Sequence, residues 1–164
     1  VGLIPENEIA ETLGVEIDPK TKGPKCDASL MTSVPGIFSC GNALHVNDLV
    51  DYVSESGETA GKFAAQFAGK DRQTVSIDAG EKLLYIVPQS IDILADNSET
   101  VVYFRSRDVY DNSIFRVTVD GNVVFEKKYA FLRPPEMEKV TIDFSSCGLT
   151  GESKIKAEIE VTGK

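Results

Sequence analysis

Apolar and polar side chains alternate along much of the second half of the chain. The alternation is clearest over 113–119 and again over 154–161. It places one face of a strand in a core and the other in solvent, which is typical of antiparallel sheets. Asp120-Gly121 separates two such runs and predicts a tight hairpin, because glycine readily adopts the positive φ of a primed turn. The candidate strands are Thr74–Asp78, Lys82–Val87, Ser90–Leu94, Thr100–Ser106, Ser113–Val119, Val123–Phe131, Lys139–Phe144 and Lys154–Val161.

The first half follows a different pattern, in which glycine, proline and alanine separate short elements. Ile9 and Leu13 lie four residues apart and Gly14 follows, which predicts a short helix that ends there. Val15–Asp18 alternates like a short strand, and Ile37–Cys40 is typical of a short buried strand.

A helix is predicted from about Leu49 to Ala68. Six of its positions carry glycine or alanine, and an internal glycine costs a helix about 1 kcal/mol relative to alanine. We interpret these small residues as allowing another backbone or a ligand to approach closely. They are Gly57, Ala60, Gly61, Ala64, Ala65 and Ala68.

The pattern changes near Gly69, which predicts two domains, 1–70 and 71–164. Short strands follow one another closely in the second domain, which favours a two-sheet antiparallel β-sandwich of immunoglobulin-like size. The fold class predicted for the whole chain is therefore α+β.

Composition and charge limit the classes of partner that we expect for this chain. The 164 residues are 41% hydrophobic and carry a formal net charge of -9. Nucleic-acid surfaces need clustered lysine and arginine, so nucleic acid is not an expected partner. The longest apolar runs, such as Leu83–Val87, are far shorter than the ~20 residues of a membrane-spanning helix, so no membrane partner is expected. No basic leader followed by an apolar stretch opens the chain, so no secretory signal is visible, and because the chain lacks an initiator methionine we expect it to be a piece of a longer protein.

The three cysteines do not form a recognisable framework. Cys26, Cys40 and Cys147 include no CxxC pair and no zinc-ligand spacing. A Cys26–Cys40 bridge remains open, although inert thiols in a cytoplasmic protein are the favoured interpretation. We assign no metal site.

Other chemistry-bearing residues have ordinary structural explanations. His45 is the single histidine, and a structural role in its loop is favoured over a catalytic one. The acids Glu55 and Glu58 suit a helix start. Scattered aspartates are typical of turns rather than of a calcium loop. The aromatic residues of the strands are expected in the core or in cross-strand pairs rather than on a sugar-binding platform; they are Tyr103, Tyr110, Tyr129 and Phe131.

One segment resembles a known family. The residues Thr32-Ser33-Val34-Pro35-Gly36-Ile37-Phe38-Ser39-Cys40-Gly41-Asn42 resemble the second FAD-binding motif of the pyridine nucleotide–disulfide oxidoreductases. The following 44–54 and the opening 2–7 are similar to its thioredoxin-reductase-like NAD(FAD)-dependent dehydrogenases. The resemblance covers about residues 1–69. It implies that this part is the C-terminal fragment of an α/β FAD-binding domain, with the β-sandwich appended.

The resemblance also implies a cofactor site. Gly41 and Asn42 would contact the ribityl-pyrophosphate part of FAD, and the backbone amides near Val53 and Ser54 would face the flavin. Asn42 stands where the family usually has aspartate, so that contact should be weaker, because charge-assisted hydrogen bonds are stronger than neutral ones. No catalytic residue is assigned.

The expected function follows from the same resemblance. The chain contains no GxGxxG fingerprint, and in the family that loop and the NAD(P)H domain lie upstream. We therefore expect a fragment of a flavoprotein that passes hydride from NAD(P)H through FAD to an unknown acceptor. Alone it should be inactive, should not retain FAD, and should associate with the rest of the flavin domain or with itself. The alternative is that the β-sandwich is a binding module and 1–69 a vestigial segment.

Overall fold

The computed structural model describes residues 3–69 and 71–162. It divides into two compact units, Val1–Asp71 and Arg72–Lys164. The fold is a mixed α+β fold made mostly of sheet. Among the described residues, no helix combines the length and the apolar composition needed to cross a bilayer.

The first unit contains two α-helices and a short 3-10 turn. Helix α1 spans Glu8–Thr12 and is followed by Gly14 at a φ of +75°, as the sequence predicts. The turn Gly41–Ala43, called the Gly41 turn below, precedes helix α2, Val50–Gln66. The predicted long helix is thus confirmed to within two residues at either end.

The two short strands predicted in the first unit are wrong. Each is reduced to an isolated bridge, Ile17 with Pro24 and Phe38 with Met31. Residues 37–40 are only half-buried rather than buried. An apolar run becomes a strand only when a second segment pairs along its length, and here the described pairing is limited to the short stretch Leu30, Met31 and Thr32.

The second unit contains the eight strands that the sequence predicts, with shifts of up to three residues at their ends. Burial alternates along β1, β5 and β8 as the apolar residues do, whereas β4 is buried along nearly its whole length. The strands are β1 Thr74–Ala79, β2 Leu83–Val87, β3 Ser90–Asp92, β4 Thr100–Ser106, β5 Tyr110–Val119, β6 Asn122–Leu132, β7 Glu138–Ile142 and β8 Ile155–Val161.

The strands form a five-stranded sheet in the order β3-β1-β8-β5-β6 and a three-stranded sheet in the order β2-β4-β7. The predicted hairpin is confirmed: Val119 pairs with Asn122, and Asp120 and Gly121 take φ values of 51° and 84°. The prediction of a purely antiparallel fold is wrong at one pair, because β1 and β8 run parallel. Alternation reports which face is buried but not strand direction, so the sequence could not reveal this pair.

The two sheets share one core. Phe104 of β4 stacks on Phe115 of β5 with ring centroids 4.0 Å apart, and the ring of Tyr129 of β6 packs edge-on against Phe104. All three residues are buried. Because Phe104 belongs to the smaller sheet and its partners to the larger one, the arrangement is compatible with a β-sandwich.

Candidate functional site at the Gly41 turn

Gly41 is fixed against helix α2 by its backbone. It is buried at a φ of +60°, and its N–H donates to Ser56 Oγ at 2.9 Å. That hydroxyl in turn donates to the carbonyl of Val53 at 2.8 Å. A Cβ on residue 41 would lie 3.1 Å from Val53 Cγ1. Both the positive φ and the close approach therefore favour glycine at this position.

Asn42 lies at the exposed side of the same turn. Its Oδ1 accepts hydrogen bonds from the backbone N–H of Asn47 at 3.0 Å and from Asn47 Nδ2 at 3.4 Å. The oxygen that the family resemblance assigns to a ribityl hydroxyl is therefore already engaged by the loop. What Asn42 can offer a ligand is its amide N–H₂, which is a donor.

Asn47 is a residue that the sequence reasoning missed. Its Nδ2 also donates to the carbonyl of His45 at 2.9 Å. Its Oδ1 is buried and has no hydrogen-bond partner among the described residues. A buried amide oxygen without a partner is rare and costly, so this position suits a donor from outside the chain. The only sequence signal was its place in a polar loop after the Gly-Asn step.

His45 contributes its backbone to the loop, whereas the structural role predicted for its side chain stays a prediction. It is 2% exposed, and its backbone N–H donates to the carbonyl of Gly41 at 3.3 Å. Its own carbonyl accepts from Asn47. The backbone of His45 thus joins the Gly41 turn to the loop before α2.

Val53 and Ser54 lie one turn inside α2, since the helix begins at Val50. In an α-helix the N–H groups at these positions point to carbonyls of the preceding turn. The amides that remain available to a ligand are those of Val50 and Asp51. The structure brings Val53 against Gly41 through its side chain, whereas Ser54 is exposed to solvent.

The first unit leaves much apolar surface uncovered. Of α2, only Ser56 and Ala60 are buried, and a Cβ added at Gly57 or Gly61 would meet no described atom within 4 Å. Large exposed apolar side chains mark an interaction surface when they form one contiguous patch. Those of this unit are Leu3, Ile4, Ile9, Leu13, Leu49, Val50 and Phe67.

The residues around the Gly41 turn carry hydrogen-bonding groups of the kinds that bind a polar ligand. Within residues 41–51 the chain offers a side-chain donor on Asn42, a buried acceptor on Asn47 and the amides at the start of α2. Helix amides suit the negatively charged part of a nucleotide or flavin. This set covers one side of a ligand, so the remaining contacts would come from elsewhere.

A second candidate site is a groove of ≈ 430 Å³ in the second unit. The carboxylate of Asp120 accepts hydrogen bonds from the backbone N–H of Lys154 and from the hydroxyl of Ser153. These bonds lower the pKa of the Asp120 carboxyl. Asp143 is likewise held by Ser145, which lowers its pKa. Asp143 thus stabilises its own loop, whereas Asp120 joins the β5–β6 hairpin to the segment that precedes β8. The groove is lined by Val119, Asp120, Asn122, Val123, Val124, Asp143, Ser146 and Cys147.

The cysteines give no redox pair. Cys26, Cys40 and Cys147 are all free thiols, so the bridge that the sequence left open is not formed. Burial, and to a smaller extent the charge of Asp143, raise the pKa of the Cys147 thiol. A raised pKa keeps this thiol protonated and unreactive near neutral pH.

Comparison of the chain with protein-family models, with curated proteins and with solved structures gave no match. The assignment of function therefore depends on the site itself and on the motif that contains it.

Proposed function

We propose that the first unit is the C-terminal part of an FAD-binding domain in an NAD(P)H-dependent flavoprotein oxidoreductase. The observation that carries this proposal is the Gly41 turn, which presents an exposed amide donor and a buried amide oxygen without a partner directly before the start of α2. The uncovered apolar side chains of the same unit support the idea that a second polypeptide segment completes the domain.

The residues of the Gly41 turn, of the loop that follows it and of the start of α2 have distinct roles in this proposal. Gly41 keeps the chain close to α2, so that the turn and the helix start act as one rigid element. Asn42 donates to the ribityl-pyrophosphate part of FAD, and Asn47 accepts a hydrogen bond from the same ligand. The amides of Val50 and Asp51 stabilise negative charge at the flavin, which accepts hydride from NAD(P)H when bound.

The second unit has no part in the chemistry of this proposal. We assign it as an appended immunoglobulin-like β-sandwich that docks a partner or caps the flavin domain, in a cytoplasmic protein. Its groove and the bonded carboxylates at Asp120 and Asp143 offer no reactive group. The alternative, that the sandwich alone is a binding module, predicts that the Gly41 turn can be altered without loss of function.

The proposal is tested by comparing the 164-residue chain with an extended protein that includes the residues encoded before Val1. The chain alone should purify colourless, because it supplies only one side of the flavin site. The extended protein should be yellow, with a flavin absorption band that persists through gel filtration. A yellow preparation of the short chain would contradict the partial site, and a colourless extended protein with an intact fold would contradict the flavoprotein assignment.

A further inference from the structure

Asn7 occupies the position before α1 where asparagine normally caps a helix, but it does not act as a cap. Its backbone carbonyl accepts from Glu11 at 2.9 Å, as expected of the residue before a helix. Its side chain makes no capping hydrogen bond among the described residues. Asparagine is favoured at such positions because its side-chain oxygen can accept from the helix amides. The side chain of Asn7 is therefore held by hydrogen bonds other than a helix cap.

The side chain of Asn7 instead joins two distant segments. Nδ2 donates to the carbonyl of Ala43 and to the carbonyl of Lys22, both at 3.0 Å. These acceptors are 36 and 15 residues away in sequence. Asn7 is 8% exposed, so the donor side of both bonds is buried. Since an amide nitrogen has two protons, both are used.

The segment around Lys22 also packs against the Gly41 turn. A Cβ added to Gly23 would lie 1.8 Å from the carbonyl oxygen of Leu44 and 2.7 Å from that of Ala43. The backbone at residue 23 is therefore in direct contact with the end of the Gly41 turn. Asn7 ties these two touching segments together.

We propose that Asn7 is a positioning residue that fixes the Gly41 turn, and through it Asn42, in the orientation that receives the cofactor. The role of Asn7 in cofactor binding rests on the function proposed above, whereas its positioning of the turn does not. Asn7→Ala and the isosteric Asn7→Asp both remove the two donors. Either variant should free the carbonyl of Ala43 and let the turn move.

The first arm of the test uses amide hydrogen exchange in the 164-residue chain. The N–H groups of Leu44 and His45 both donate to the carbonyl of Gly41 and report on the turn. Asn7→Ala and Asn7→Asp should speed their exchange at least tenfold relative to residues elsewhere in the unit. The control is Val15→Ala, which truncates a buried side chain of the same unit and should not change exchange selectively at the turn. Equal exchange rates of the Leu44 and His45 N–H groups in Asn7→Ala and Val15→Ala would overturn the proposal.

The second arm measures the dissociation constant of FAD in the extended protein. Asn7→Ala should raise it at least fivefold, while Val15→Ala should leave it within twofold. If the wild-type extended protein binds no FAD, the proposed function fails and the exchange arm still decides the role of Asn7. If FAD binds equally well to all variants, the positioning of the cofactor site by Asn7 is wrong.

Discussion

Gly23→Ala should destabilise the first unit by more than about 3 kcal/mol, at or beyond the upper end of the usual cost of overpacking. The added methyl would lie 1.8 Å from the backbone oxygen of Leu44. A backbone atom cannot move aside as a flexible side chain can, so the Gly41 turn must shift or the unit must open. Urea denaturation followed by amide resonances of residues 3–69 measures the effect.

The matched control is Gly57→Ala in α2. Apart from the neighbouring backbone of α2 itself, no described atom lies within 4 Å of the added methyl, and alanine is favoured over glycine in a helix interior by about 1 kcal/mol. Gly57→Ala should therefore stabilise the 164-residue chain. A Gly23→Ala protein as stable as wild type would contradict the packing of this segment against the turn.

Phe104→Ala should destabilise the second unit by about 3–5 kcal/mol, the usual cost of deleting a buried aromatic side chain. Phe104 is completely buried and joins the two sheets through Phe115 and Tyr129. The cavity would lie between the sheets, where neither sheet can relax without losing its own pairing. Thermal or urea unfolding of the second unit, followed by its amide resonances, gives the change.

Phe131→Ala is the control for the core. Phe131 belongs to β6 as Tyr129 does, but it is 59% exposed. Surface substitutions of this kind usually change stability by no more than about 0.5 kcal/mol. If Phe104→Ala and Phe131→Ala cost the same, the stacked pair between the sheets is not the centre of the core.

The second unit could be predicted well because its signals are local. Alternation along a strand and the Asp120-Gly121 turn depend on neighbours in sequence, and both survive in the structure. The parallel pairing of β1 with β8 joins the two ends of the unit. No local pattern carries that information, because burial alternates identically in parallel and antiparallel neighbours of a half-buried sheet.

The first unit was harder to predict because its elements depend on distant contacts. Ile37–Cys40 has the composition of a strand but too little pairing to become one. Gly41 and Asn42 were found through their motif, whereas Asn47 and Asn7 were not, since most of their hydrogen bonds cross from 5 to 36 residues of chain. Polar loop residues carry no periodic signal, so their partners appear only in three dimensions.

The dissociation constant of FAD for the extended protein with Asn42→Ala tests the central claim most directly. Loss of the Asn42 amide should weaken FAD binding about tenfold, the equivalent of one hydrogen bond of about 1.4 kcal/mol. Asn122→Ala, an exposed asparagine of β6 in the second unit, should leave binding unchanged. Equal FAD affinity of Asn42→Ala and wild type would show that the Gly41 turn does not hold the flavin.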